Sequence, residues 1–185
     1  MISLKEKYQK ILPALTKTLG LKNTLAAPRL VKVTVAVGTG KRREKKQQEL
    51  IADRLATITG QKAAWRGAKK AIASFKVRQG EPIGFLVTLR GRRMYQFLDK
   101  LFYIALPRMR DFRGFEESVL DDTGNLTIGL REHTIFPETA DEDLKDVFGL
   151  AITITTSTGT RPAAGGARDR GLALFRALNF PFRKL

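Results

Sequence analysis

The feature that most constrains the fold is a strict alternation of apolar and polar residues in four short segments. In the clearest one, over 31–37, valine takes every odd position and lysine, threonine or alanine every even one. The same alternation recurs at 85–90, 126–131 and 152–155. A period of two is typical of strands with one buried and one open face, whereas fully covered parallel strands are continuously apolar. The sequence therefore predicts a mostly antiparallel sheet.

Helical patterns between these strands supply the cover for one face of the sheet. Apolar residues recur at helical spacing in four segments, which are 4–19, 41–60, 92–106 and 172–180. Gly20, Gly60 and Pro107 mark the ends of the first three helices. The expected fold class is α+β, with helices packed on one face of the sheet and an open face that is basic and rich in threonine.

The length of 185 residues predicts a single domain over 1–185, without internal repeats. Two segments depart from the regular pattern. Residues 66–80 mix cations with Ile72, Phe75 and Val77, and they predict a projecting basic loop or hairpin whose apolar members anchor its base. Residues 157–171 are rich in glycine, alanine, proline and arginine, which predicts a flexible connector.

The charge balance indicates a polyanionic partner. Lysine and arginine number 34 against 18 acids, which gives a net charge of +16 and a pI of about 10.5. An excess of this size repels itself unless a nucleic acid, an acidic membrane surface or an acidic protein offsets it. Ten acids and two bases lie between Phe115 and Val147, so the remainder of the chain is more basic still and the footprint is directional.

Several features bear on the compartment and on the membrane alternative. The chain has no cysteine, no signal-peptide pattern at its start and no apolar run long enough to cross a bilayer. The helices also show no wide apolar face left over for a membrane surface. We therefore expect a soluble, cytoplasmic protein that does not bind membranes, and liposome flotation beside an RNA pull-down would test this.

The residues offer little for catalysis. His133 is the one histidine, without cysteine partners, and the acids at 138–146 lack the glycine-punctuated calcium loop, so both are expected at the surface. An alternative function is a nucleotide-binding enzyme that uses the Gly38–Lys41 turn, but Val35 and Arg42 occupy positions where the phosphate-loop pattern requires glycine and serine or threonine. The expectation is a protein that is not an enzyme, with no catalytic residue, cofactor or metal.

The open face of the sheet favours RNA as the partner. Its members are Lys32, Thr34, Thr88, Arg90, Thr127, Arg131, Thr153 and Thr155. Hydroxyls and cations on a sheet suit a folded RNA backbone. The run 41–46 is a candidate phosphate contact, and the glycines at 38 and 40 would let a backbone approach closely. Trp65 either stacks on a base or anchors the basic loop.

Several segments together resemble bacterial large-subunit ribosomal protein five, in order and over nearly the whole chain. They read PRLVKVTVAVGTG, TGQK, AIASFKVRQGEPIGFLVTLRGRRMYQFLDKL, ALPRMRDFRGF, GNLTIGLREHTIFPE, GLAITITT and NFPFRK. The resemblance implies a non-enzymatic structural constituent of the large subunit that binds 5S rRNA in the central protuberance. Its implied partners also include 23S-type rRNA, P-site tRNA and neighbouring ribosomal proteins, among them a small-subunit head protein at an intersubunit bridge.

The resemblance also assigns residues. The positions implied to bind 5S rRNA are Lys32, Thr34, Gly38, Gly40, Gln61, Lys62, Thr88 and Arg90. The loop directed at tRNA would use Lys69, Lys70, Lys76 and Arg78.

The sequence departs from the family pattern at several places. Ala36 stands where an asparagine is usual, and Leu126 replaces a usual tyrosine. Phe148 and Ala151 replace an arginine and an aspartate, which suggests a lost polar pair. Arg66 and Gly67 stand where the loop usually has a threonine–lysine pair, and the connector 157–171 is longer and more basic than is typical.

Overall fold

The structure is a computed structural model that describes residues 3–40, 44–110, 112–140, 147–158 and 166–183. Its helices are α1 (Leu4–Thr18), α2 (Lys45–Thr59), α3 (Gly91–Lys100) and α4 (Ala167–Ala177). Its strands are β1 (Arg29–Gly38), β2 (Ala64–Gly67), β3 (Pro82–Leu89), β4 (Leu126–Leu130) and β5 (Leu150–Ser157). The strands form an antiparallel sheet in the order β2-β3-β1-β5-β4. The predicted α+β fold class is confirmed.

The chain divides into two compact units, and each has its own apolar interior. The first comprises Met1–Val33, Leu89–Ile128 and Thr153–Leu185, where α1 packs against α3 and α4 and side chains such as Leu4, Leu98 and Phe175 are fully buried. The second comprises Thr34–Thr88 and Gly129–Ile152, with α2 packed on the short turn Pro137–Thr139. Ile51, Leu55 and Phe136 are fully buried there. Within the described ranges, no helix is long and apolar enough to span a bilayer.

The predicted alternation along the strands is present in the structure. The odd valines of β1 from Val33 to Val37 are buried, as are the even residues of β4 and the isoleucines of β5. In contrast, Lys32 and Thr34 are half-buried and Thr127 is exposed. Because burial follows the same period of two as the sequence, the apolar face is the core face.

Several predicted boundaries were wrong. Helix α2 begins at Lys45 instead of 41, and residues 41–43 of the predicted phosphate-contact run lie outside the described residues. The helix predicted over 92–106 changes into a π turn at Leu101–Ala105 and a 3₁₀ turn at Leu106–Arg108, with Pro107 in the first positions of that last turn. Strand β2 is only four residues long and was missed, because its sequence AWRG has no alternation to detect.

The predicted connector over 157–171 requires correction at its end. Residues 167–171 form the first turns of α4, while 159–165 lie outside the described residues. Position 171 inside this helix requires a glycine, because a Cβ there would lie 2.6 Å from the carbonyl oxygen of Gly124. The glycine that suggested a flexible segment therefore serves a close packing contact.

A carboxylate organises the turn that leads into β4. Asp121 accepts hydrogen bonds from the N–H and hydroxyl of Thr123 at 3.0 and 2.9 Å, and from the N–H and side-chain amide of Asn125 at 2.7 and 2.9 Å. Partial burial opposes ionisation, but these donors outweigh it, so the pKa of Asp121 lies below its usual value of 3.8. Asn125 in turn accepts from the N–H of Thr156 at 3.0 Å.

We expect Asp121→Ala to lower the free energy of unfolding by about 1 kcal/mol, because the turn loses four hydrogen bonds at an exposed site. Chemical denaturation at pH 7 would measure this. A carboxylate with a lowered pKa stabilises the fold above its unfolded pKa and loses that effect as the pH falls through the folded pKa. The difference between wild type and variant should therefore shrink below pH 3.8, and a difference that stayed constant down to pH 2 would contradict this account.

Candidate nucleic-acid interface

In the second unit, the open-face residues of β1 and β3 lie side by side. The N–H of Thr39 donates to the carbonyl of Ile83 at 2.8 Å. Counting five residues back along β1 and five forward along β3 in an antiparallel pair places Thr34 opposite Thr88. The side-chain amide of Gln61 donates to the Thr88 carbonyl at 3.4 Å, so the segment after α2 is tied to the same strand. Thr34, Thr88 and Gln61 are all half-buried, and Lys62 beside them is exposed.

Gly38 and Gly40 lie at the end of β1, and none of the described residues requires a glycine at either position. Neither has a positive φ, and a Cβ at either would meet no atom within 4 Å. Both glycines are exposed. Glycine at these positions is therefore needed neither for a left-handed backbone nor for close packing. Without a side chain, the main chain there is accessible to an external partner.

In the first unit, the open-face residues comprise cations and a pair of threonines. Lys32 is half-buried on β1, and Arg90 is exposed and precedes α3 in an extended conformation. Arg92 and Arg93 follow it in the first turn and are also exposed. The hydroxyls of Thr127 on β4 and Thr153 on β5 lie 3.2 Å apart and share a hydrogen bond. The first unit therefore offers a pair of hydrogen-bonded hydroxyls and several cations, which are groups that bind phosphate and ribose.

Residues 66–80 form a hairpin that continues β2 and β3. Beyond the paired strands, the backbone N–H of Ala68 donates to the carbonyl oxygen of Glu81, and the N–H of Gly80 donates to the carbonyl oxygen of Ala68, both at 2.9 Å. Farther out, Ile72 and Val77 form an antiparallel bridge around a 3₁₀ turn at Ala73–Phe75. The four predicted cations, Lys69, Lys70, Lys76 and Arg78, are all exposed.

The expectation that apolar residues anchor the base of this hairpin was wrong. Ile72 is 45% exposed and Phe75 is 70% exposed, while Val77 is half-buried. Composition showed that the segment has apolar side chains, but it could not show that Ile72 and Phe75 remain largely exposed in the fold. These side chains are therefore surface features that need their own explanation.

Trp65 lies on β2 directly opposite Phe85, and it is 61% exposed. Directly opposed residues share a face of the sheet, and Phe85 shares its face with the buried Val87. Trp65 therefore lies on the same face of the sheet as Val87, and not on the open face that carries Thr88. Its strand, β2, is at the edge of the sheet. Its ring also covers Gly67, where a Cβ would lie 3.1 Å from the ring.

The prediction that His133 lies at the surface was wrong, because the residue is fully buried. Its ring stacks on Phe148 with centroids 4.1 Å apart and planes 8° from parallel, and Nδ1 accepts from the Phe148 N–H at 3.4 Å. Phe148 thus fills a core position beside an imidazole. Ala151 is exposed. Glu138 is exposed as expected, and residues 141–146 lie outside the described residues.

No group of three or more histidine, aspartate or glutamate side chains within the described ranges could hold a metal ion. Of the Gly38–Lys41 turn, Gly38, Thr39 and Gly40 are described, and Lys41 is not.

Comparison with known proteins adds the family. Residues 82–182 match the C-terminal part of the ribosomal L5 family, and residues 23–78 match ribosomal protein L5. The chain belongs to the ribosomal protein L5 family. As an L5-family member it is a ribosomal protein of the cytoplasmic ribosome and not an enzyme, which decides against the nucleotide-binding alternative.

Similar curated L5-family proteins cover almost the whole chain. The large ribosomal subunit protein uL5 of Prochlorococcus marinus (strain MIT 9211) is 47% identical, over 98% of this chain and 99% of that protein. That of Synechococcus sp. (strain RCC307) is 46% identical over the same shares. That of Chloroflexus aurantiacus (strain ATCC 29366 / DSM 635 / J-10-fl) is 45% identical over 98% of each chain.

Proposed function

We propose that the chain is a structural constituent of the large ribosomal subunit that binds 5S rRNA in the central protuberance through the open face of its sheet. In this role the whole chain, 1–185, works as one module and also touches 23S-type rRNA. The names of its relatives as large-subunit proteins and the family membership support the placement in that subunit.

The observation that carries the RNA-binding role is the separation of the two strand faces. Alternate residues of β1, β4 and β5 are buried, and their neighbours present lysine and threonine side chains. A core face cannot accommodate these groups without partners, whereas RNA phosphates and 2′-hydroxyls satisfy both. The candidate 5S contacts are Lys32, Thr34, Gly38, Gly40, Gln61, Lys62, Thr88 and Arg90.

Crosslinking in cells, followed by sequencing of the bound RNA, tests this role. We expect 5S rRNA to be the most enriched species, with a smaller fraction of 23S-type rRNA. Enrichment of messenger or transfer RNA above 5S rRNA would contradict the proposed role of the sheet face.

The hairpin has a different task in this proposal. Its four exposed cations stand beyond the paired ends of β2 and β3, with Glu81 as a nearby acid that accepts the Arg78 N–H at 2.9 Å. A basic protrusion suits a second RNA partner that docks after the subunit has formed, and we assign it to P-site tRNA. In the first unit, the exposed acids Glu116 and Asp122 offer contacts for a basic protein of the small-subunit head.

The double variant Lys69→Ala, Lys70→Ala should leave 5S rRNA affinity within about twofold, because neither lysine lies on the open sheet face. Binding of P-site tRNA to ribosomes carrying the variant should weaken by about 3-fold to 10-fold through the loss of two phosphate contacts. Filter binding measures both. The matched control is Lys5→Ala, Lys10→Ala on α1, which should change neither affinity, and loss of 5S binding in the hairpin variant would overturn the division of surfaces.

A further inference from the structure

An apolar cavity of about 1170 Å³ opens beside the hairpin in the second unit. Its walls come from three segments, which are the end of β1 at 38–40, the hairpin at 68–77 and the residues 147–149. Its large apolar lining residues include Ile72, Phe75, Val77, Ile83 and Phe148. The cavity is at least as large as the sites that bind drug-sized ligands, so a single ion or side chain would not fill it.

The apolar surface extends beyond the cavity towards the edge of the sheet. Ile83 is 37% exposed at the rim, and Phe85 follows on the same face of β3. Trp65 lies opposite Phe85 on β2 and is also largely exposed. Contiguous exposed apolar side chains of this kind mark interaction sites, and their elongated arrangement suits an extended chain better than a compact molecule.

The positive charges beside the cavity favour an occupant that carries negative charge. Among the described residues that line it, Lys69 and Lys70 carry charge, and both are exposed. Lys76 and Arg78 lie farther along the same hairpin. An occupant with carboxylates next to bulky apolar side chains would complement both the wall and the rim.

The apolar lining argues against a nucleobase as that occupant. A base carries several donors and acceptors on its edges, and each one left unpaired on an apolar wall costs free energy. A hydrocarbon side chain leaves no such group unpaired.

We propose that this cavity and its apolar extension bind an acidic segment of a partner protein, with bulky apolar side chains in the cavity and carboxylates paired with Lys69 and Lys70. Such a partner would engage the hairpin when tRNA does not, because both occupants use the same two lysines. The site shares Gly38 and Gly40 with the candidate 5S rRNA contacts, but its apolar walls belong to the hairpin, Ile83 and residues 147–149.

Selection from a displayed library of random twelve-residue peptides on the purified full chain tests the proposal. We expect the enriched peptides to combine leucine, phenylalanine or tryptophan with two or more acids. Fluorescence anisotropy of one such peptide should show at least a 10-fold loss of affinity in the double variant Ile72→Ser, Phe75→Ser. The variant Lys69→Gln, Lys70→Gln should lose about 3-fold to 10-fold and show a weaker salt dependence.

The matched control is Leu25→Ser, which removes another highly exposed apolar side chain far along the chain from the cavity. It should change peptide affinity by less than twofold, and thermal unfolding should show that all variants stay folded. The affinity for 5S rRNA should be the same in the double variant Ile72→Ser, Phe75→Ser and in the wild type, which separates this site from the RNA face.

The proposal is overturned if no peptide is enriched, if enriched peptides lack acids, or if they bind the double variant equally well. It is also overturned if a single-stranded RNA dodecamer, and not the peptide, loses affinity in that variant.

Discussion

Binding to 5S rRNA should weaken by about 10³-fold to 10⁵-fold when monovalent salt rises from 50 to 200 mM, if the protein neutralises six to ten phosphates. The physical reason is the release of counterions from the RNA by lysine and arginine, in a chain whose net charge is +16. Filter binding or anisotropy over this salt range, plotted as log affinity against log salt, gives the slope.

Single substitutions locate these contacts. Lys32→Ala should reduce the salt slope by about 1, because one phosphate contact on the open face is lost. Lys17→Ala is the matched control, since Lys17 is exposed in the last turn of α1 and should leave the slope unchanged. A slope near zero for the wild type, or equal effects of the two substitutions, would show that the sheet face is not the electrostatic footprint.

The sheet could be predicted because, in each long strand, the alternation of residue types in the sequence matches the alternation of buried and open positions. In β1 buried valines alternate with half-buried residues from Lys32 to Val37, so the spacing along the sequence reveals the two faces of the strand without knowledge of its neighbours. Strand β2 has four residues and gains its conformation from pairing with β3, so its sequence holds no comparable signal. The start of α4 was hidden for a related reason, because Gly171 is explained by the Gly124 turn, which is distant in sequence.

The candidate site was predictable to a similar extent. The residues on strand faces, such as Thr34 and Thr88, follow from alternation, and the exposure of the hairpin cations follows from their charge. The surroundings of His133 did not follow, because its stacking with Phe148 joins segments that only the fold brings together. Likewise, the exposure of Phe75 depends on how far the core extends, which no local pattern encodes.

The close pairing of β1 and β3 rests on one glycine. Gly84 is buried on β3, and a Cβ at this position would lie 2.6 Å from the carbonyl oxygen of Val37. That oxygen belongs to the backbone of the neighbouring strand and cannot rotate away as a flexible side chain would. Gly84→Ala therefore forces the two strands apart, and we expect the free energy of unfolding to fall by about 3 kcal/mol.

The same displacement should reach the RNA face, because the two strands that separate carry Thr34 and Thr88. We expect 5S rRNA affinity to fall by about 10-fold at temperatures where Gly84→Ala is still folded, since hydroxyl contacts need both strands in register. Urea denaturation and anisotropy measure the two effects. Gly129→Ala is the matched control, since Gly129 is an exposed strand glycine with no atom within 4 Å of a Cβ and should gain about 0.5 kcal/mol. Equal stabilities of the two variants would mean that β1 and β3 tolerate a wider spacing, and that the open face does not depend on their close approach.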